Sequence, residues 1–157
     1  MPVYQRETTF DAPLEDVWRL HTTGEGLERL TPSAFGLRIE AVRNGTEVDP
    51  LPEGAEIDVF TNPLGVGSGD QWTSEVTASE LSEDRALFRD EMQGGAFPTW
   101  VHTHRFETVF DGETLMRDRI EYRLPTPVGD LVAPLAPVGF EPMFAYRHWK
   151  AGRILES

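Results

Sequence analysis

The stretch from Thr99 to Pro125, TWVHTHRFETVFDGETLMRDRIEYRLP, constrains the fold of this chain more than any other segment. Side-chain character alternates on both sides of Asp111-Gly112-Glu113, which is what a long β-hairpin requires. On the first arm Trp100, His102, His104 and Phe106 share one face. On the second arm Met116, Asp118, Ile120, Tyr122 and Leu124 form a largely apolar set, and Arg117, Arg119, Glu121 and Arg123 a charged one. If Phe110 pairs with Thr114, Glu107 lies opposite Arg117 as a favourable outer pair. The same register sets Phe106 opposite Asp118, His104 opposite Ile120 and His102 opposite Tyr122. Two imidazoles, a carboxylate and a phenol then lie among apolar side chains, where polarity costs free energy unless satisfied. Either these groups satisfy one another or they line a cavity.

The rest of the chain supplies partners for that hairpin. Val3 to Phe10 reads as a first strand. Asp11 as N-cap and Pro13 in the first turn predict a short helix, Leu14 to His21, and a second short helix runs from Glu25 to Leu30. Strands follow: Leu37 to Ala41, a segment through Ile57 and Val59, Asp70 to Ser79 with Trp72, Ser74 and Val76 on one face, and Arg85 to Gln93 with Phe88, Asp90 and Met92 on one face. The glycine-rich loop Asn62 to Gly69 has no lysine or helix after it, so a phosphate cradle is not expected there. Pro125, Pro127, Pro134 and Pro137 interrupt any early helix, with a turn or two expected over Asp130 to Ala136, and Pro142 is placed to start a last helix from Met143 to Leu155. His21 and His148 are expected at the surface or at helix ends, and Trp18 and Trp149 in the core or in helix packing.

Composition narrows the function classes. The 157 residues are expected to form one domain, 1–157. With no cysteine, disulfides, thiolate chemistry and cysteine-based zinc sites are excluded. No basic-then-apolar leader or apolar span is visible, so a soluble, cytoplasmic protein without stable membrane insertion is expected. Asp and Glu number 27 against 14 Lys and Arg, a net charge of -13, and Lys150 is the sole lysine. Such acidity argues against nucleic acid as a partner. It resembles the composition of halophilic proteins, whose self-repulsion is screened at 1 M salt by a Debye length of about 3 Å.

The order strand, helix, helix, a meander of about six strands and a long C-terminal helix implies an α+β fold, a strongly curved antiparallel sheet of about seven strands gripping that helix. This resembles the helix-grip fold of the START-like or SRPBCC superfamily, which includes Bet v 1 type plant proteins, lipid-transfer domains, polyketide cyclases and dehydrases, and coenzyme-Q-binding proteins. The series Phe88-x-Asp90, Gln93-Gly94-Gly95-x-Phe97, Trp100-x-His102-x-His104-x-Phe106, Gly112-x-Thr114, Asp118, Tyr122-x-Leu124-Pro125 and Gly129 is similar to a subgroup of small SRPBCC proteins whose domain also occurs fused to sugar-nucleotide-epimerase-like chains. Where that subgroup reads Gly-Pro-Phe this chain has Gly94-Gly95-Ala96-Phe97, a less stiff rim. The resemblance implies a ligand cavity and names no substrate.

Four readings of His102, His104, Asp118, Tyr122 and Asp90 stand side by side. They are a structural hydrogen-bond network, polar groups of a small-molecule cavity, an acid-base pair with Asp118 orienting His104, or a two-histidine, one-carboxylate metal site. The resemblance implies work without metal or other cofactor. The expected function is the binding, as carrier or sensor, of a small hydrophobic ligand such as an isoprenoid, a quinone-like ring or a polyketide, by a monomer or homodimer. The alternative is a cyclase or dehydrase using His104 and Asp118. The expected ligand contacts are Trp72, Phe88, Asp90, Phe97, Trp100, His102, His104, Met116, Asp118, Tyr122 and Phe144.

Overall fold

The computed structural model describes residues 2–65, 67–95, 97–124 and 136–156. Its strands are β1 (Val3–Phe10), β2 (Arg38–Arg43), β3 (Glu56–Thr61), β4 (Asp70–Leu81), β5 (Arg85–Gly94), β6 (Thr99–Phe110) and β7 (Glu113–Arg123). Its helices are α1 (Leu14–Thr22), α2 (Gly24–Leu30) and α3 (Ala136–Leu155). The strands form one antiparallel sheet in the order β1-β7-β6-β5-β4-β3-β2. Because β1 and β2 are opposite edges, the chain must cross the sheet between them, and α1 and α2 make that crossing. No described helix is long and apolar enough to cross a membrane.

Local chemistry accounts for the joints, with two departures from expectation. Asp11 does not cap α1. Pro13 occupies the N-cap position without a side-chain bond, and the Asp11 N–H donates to Glu156 Oε2 at 2.8 Å instead. The break between α1 and α2 falls at Thr23, whose Oγ1 donates to Arg19 O and accepts from Gly26 N, both at 3.0 Å. A Cβ on Gly26 would stand 1.8 Å from Leu20 O, a backbone atom that cannot step aside alone. Gly26→Ala is therefore expected to lower stability by about 1–3 kcal/mol, the usual range for overpacking, read as a lower urea midpoint at unchanged slope.

The second departure is α3, which starts before Pro142 and carries that proline inside it. Proline removes one helical hydrogen bond. Aromatic packing of the early turns offsets the loss: Phe140 lies edge-on to Tyr122 at 4.9 Å, to Trp100 at 5.3 Å and to Tyr4 at 6.1 Å between ring centroids. Glu141 also accepts from Tyr4 and Arg6, tying α3 to β1. The expectations for Pro125, Pro127, Gly129, Asp130, Pro134 and the loop residue Ala96 lie outside the described residues.

The β6–β7 hairpin forms, but its register is shifted by two residues. His104 lies opposite Asp118, Phe106 opposite Met116, His102 opposite Ile120 and Trp100 opposite Tyr122, with an irregularity between Thr108 and Phe110. The turn closes on Phe110 and Glu113 rather than Phe110 and Thr114, and one more residue is taken up between Thr108 and Phe110. Together they move every partner by two, which matches the strand period and leaves each side chain on its face. Arg117 thus sits opposite Arg105 rather than Glu107. Its Nε donates to Glu7 Oε2 of β1 at 3.0 Å, which relieves the like-charge pairing.

Two apolar clusters fill the space between sheet and helices. The larger gathers Phe10, Val17, Trp18, Leu30, Ile57, Val76, Phe88, Phe106 and Met116. The smaller is Tyr4, Ile120, Tyr122 and Phe144. Trp18 belongs to this core as expected. Trp149 does not pack as expected: it is 57% exposed, on the outer side of α3.

Candidate functional site

Between the two clusters lies a cavity of about 400 Å³. The curved face of β4, β5 and β6 forms its floor, α1 and α2 one wall, and Met143, Phe144 and Arg147 of α3 another. Eight of the expected contacts line it: Trp72, Phe88, Asp90, Phe97, Trp100, His102, His104 and Phe144. Met116, Asp118 and Tyr122 do not. Met116 and Tyr122 are 1% exposed and belong to the packed clusters, while Asp118 lies behind the histidines.

Asp118 is the centre of the polar network. Its Oδ1 lies 2.6 Å from His104 Nδ1 and 3.2 Å from His102 Nε2, and its Oδ2 lies 2.6 Å from His148 Nε2. All four residues are buried. The two-residue register shift produces this arrangement by placing Asp118 directly across from His104. The His104 contact is short but off-axis, leaving Nδ1 without a well-aligned hydrogen bond. The other end of the network is Thr8 Oγ1, 2.6 Å from His148 Nδ1. His148 thus bridges Thr8 and Asp118 through its two ring nitrogens.

His148 is therefore neither at the surface nor a bystander: it joins α3 to β7 and β1. His21 is also not a surface residue. Its Nδ1 is 2.8 Å from Val17 O, its ring lies 5.9 Å from that of His104, and it lines the cavity. Helical spacing could have found both. His21 follows Val17 by four and Trp18 by three on the buried side of α1, and His148 follows Phe144 by four on α3. Ser74 and Arg147 were likewise not anticipated as cavity residues. Ser74 Oγ donates to Asp90 Oδ2 at 2.7 Å.

The charges of these groups follow from burial and neighbours. Burial raises Asp118, but the charge of His104 and hydrogen bonding from His102 outweigh it and hold the carboxyl well below its usual range. Burial and then the adjacent His102, its ring centroid 3.9 Å away, push His104 down against the pull of Asp118. Burial and His104 lower His21 to about 3. Burial also raises Asp90, against the Ser74 hydrogen bond. Near neutral pH the polar end of the cavity thus presents neutral His21 and His104 rings beside an ionised Asp118.

One grouping has a metal-like composition. Ligand atoms of Asp90, His102 and His104 lie within 4.8 Å of one another, and Asp118 would support both histidines from behind. Against a cation there, Arg147 lines the same cavity and Asp90 is already engaged by Ser74. Lys150 does not line the cavity, so among the described residues no amine side chain is placed there for Schiff-base chemistry.

Solved structures share this architecture. Norcoclaurine synthase from Thalictrum flavum, in complex with dopamine and hydroxybenzaldehyde, aligns over 98% of this chain and 86% of its own, at 19% identity and a TM-score of 0.64. A Chromobacterium violaceum protein aligns over 99% of this chain and 98% of its own, at 14% identity and a TM-score of 0.67. The chain has the helix-grip fold. The nucleoside-diphosphate sugar epimerase of Corynebacterium glutamicum matches 98% of this helix-grip chain with 29% of its own length, at 23% identity and a TM-score of 0.62. The matched part of that longer chain shares the fold. No protein-family model and no curated protein matches the chain. At these identities the likeness concerns fold and leaves chemistry to the site.

Proposed function

We propose that this helix-grip protein binds a small, mostly apolar molecule in the cavity between sheet and helices, as a carrier or sensor. The observation that carries the reading is the cavity itself: about 400 Å³, within the range of roughly 300–1,000 Å³ typical of small-molecule sites. Aromatic walls from Trp72, Phe88, Phe97 and Trp100 meet a polar end formed by Asp90, His102 and His104. An isoprenoid, a quinone-like ring or a polyketide has the matching distribution of apolar body and few polar atoms. The dopamine and hydroxybenzaldehyde held by norcoclaurine synthase are small aromatic molecules of comparable kind.

Native mass spectrometry of the purified protein, followed by extraction, is expected to show one small molecule per chain, and adding it back should raise the melting temperature. Failure of every apolar candidate to bind or to raise that temperature would sink the reading. The acid excess and the single lysine support work in a salt-rich cytoplasm without nucleic acid.

A second reading, a cyclase or dehydrase, is favoured by one feature. Asp118 engages Nδ1 of His104, which leaves Nε2 as the nitrogen available to a bound carbonyl compound. Acid-base work of this kind is worth roughly 10²–10⁴-fold in rate. On that reading His104→Asn abolishes turnover while ligand binding persists; turnover that survives the substitution would rule it out.

A further inference from the structure

Arg147 lines the cavity from α3, and among the described residues no carboxylate lies within 4.0 Å of its guanidinium. The two nearest acidic influences are both committed elsewhere: Asp118 to its three histidines and Asp90 to Ser74. Both act on Arg147 through space, and burial opposes its charge. The remaining titratable neighbours, His21, His102 and His104, offer no negative charge. A guanidinium has five donors and no acceptor. A purely apolar ligand filling the cavity would strip water from those donors and leave them unpaired, at a cost in affinity.

We infer that the ligand is an amphipathic organic anion, its carboxylate or equivalent acidic head bound to Arg147 and its apolar body lying along Trp72, Phe88 and Trp100. The inference rests on the binding function proposed above and adds the chemical class of the ligand. A charge-assisted, forked contact of this kind is the strong form of hydrogen bond. The chain's net charge of -13 repels anions generally, so an acidic ligand enters only where a local cation compensates, and added salt screens the outer field more than the buried contact. A divalent ion at Asp90, His102 and His104 would have to bind against the same guanidinium.

Two dyes with one ring system decide the matter: 8-anilinonaphthalene-1-sulfonate, which is anionic, and N-phenyl-1-naphthylamine, which lacks the sulfonate. Fluorescence titration of the unmodified protein is expected to show one anionic dye per chain, bound about tenfold or more tightly than the neutral one. Arg147→Gln should bring the two affinities together, and Arg147→Lys should restore part of the gap. Equal affinities in the unmodified protein, or an unchanged gap in Arg147→Gln, would overturn the inference and leave the cavity reading intact. Binding of neither dye would overturn both. Anionic-dye binding that requires added Zn²⁺ would move the head group onto a metal and also overturn it. If Arg147→Gln does not fold, the comparison of the two dyes on the unmodified protein still decides.

Discussion

Asp118→Ala is expected to lower the unfolding free energy by about 3 kcal/mol, the lower end of the range for breaking a buried charged network. The substitution removes the hydrogen-bond partner of His102 and His148 and the carboxylate beside His104. It leaves the ring nitrogens of His102 and His148 that faced Asp118 buried without that partner, and it disconnects α3 from β7. Asp118→Asn keeps the shape and one acceptor oxygen, so it should fall between the alanine variant and the unmodified protein. Urea denaturation reads both. A loss below about 0.5 kcal/mol for the alanine variant, the level of an ordinary surface change, would show that the network contributes nothing to the fold.

Acid should destabilise this protein well before its exposed carboxylates titrate. His21 is lowered from 6.5 to about 3 in the folded state, and His104 is lowered in the same direction. Between pH 6.5 and those folded values the unfolded chain binds more protons than the folded one, so stability falls as pH falls through that window. Each histidine contributes a slope of at most about 1.4 kcal/mol per pH unit. Asp118, whose carboxyl is held low, adds a further loss below its ordinary value of 3.8. Asp90 acts in the opposite sense, because its raised folded value favours the protonated folded state. It offsets part of the slope and cannot cancel two histidines. Urea midpoints followed downward from neutral pH should therefore drop steadily from about pH 6.5, and His21→Phe, which keeps a ring beside Phe10 and Phe106, should remove roughly half of that slope. A flat profile in the unmodified protein across this window would refute the assignment of buried, neutral histidines.

Much of the fold was legible locally. The strand faces carrying Trp72 and Ser74, Phe88 and Asp90, and Trp100, His102 and His104 all turn toward the cavity, as their two-residue periodicity requires. β1 has the bounds the alternation implies, Val3–Phe10. The start of α3 is not legible from Pro142, because the aromatic contacts of Phe140 that offset its lost hydrogen bond come from β1, β6 and β7.

The polar site divides in the same way. That His102, His104 and Asp118 share the inner faces of one hairpin is determined by the sequence alone, since alternation assigns faces and a slip of two residues preserves them. Which of them meet was decided by the tertiary structure. The irregularity near the turn sets His104 against Asp118, the sheet order brings Thr8 of β1 beside β7, and the docking of α3 delivers His148 to the free oxygen of Asp118 and Arg147 to the cavity. These contacts join residues far apart in the chain, and local periodicity carries no term for them.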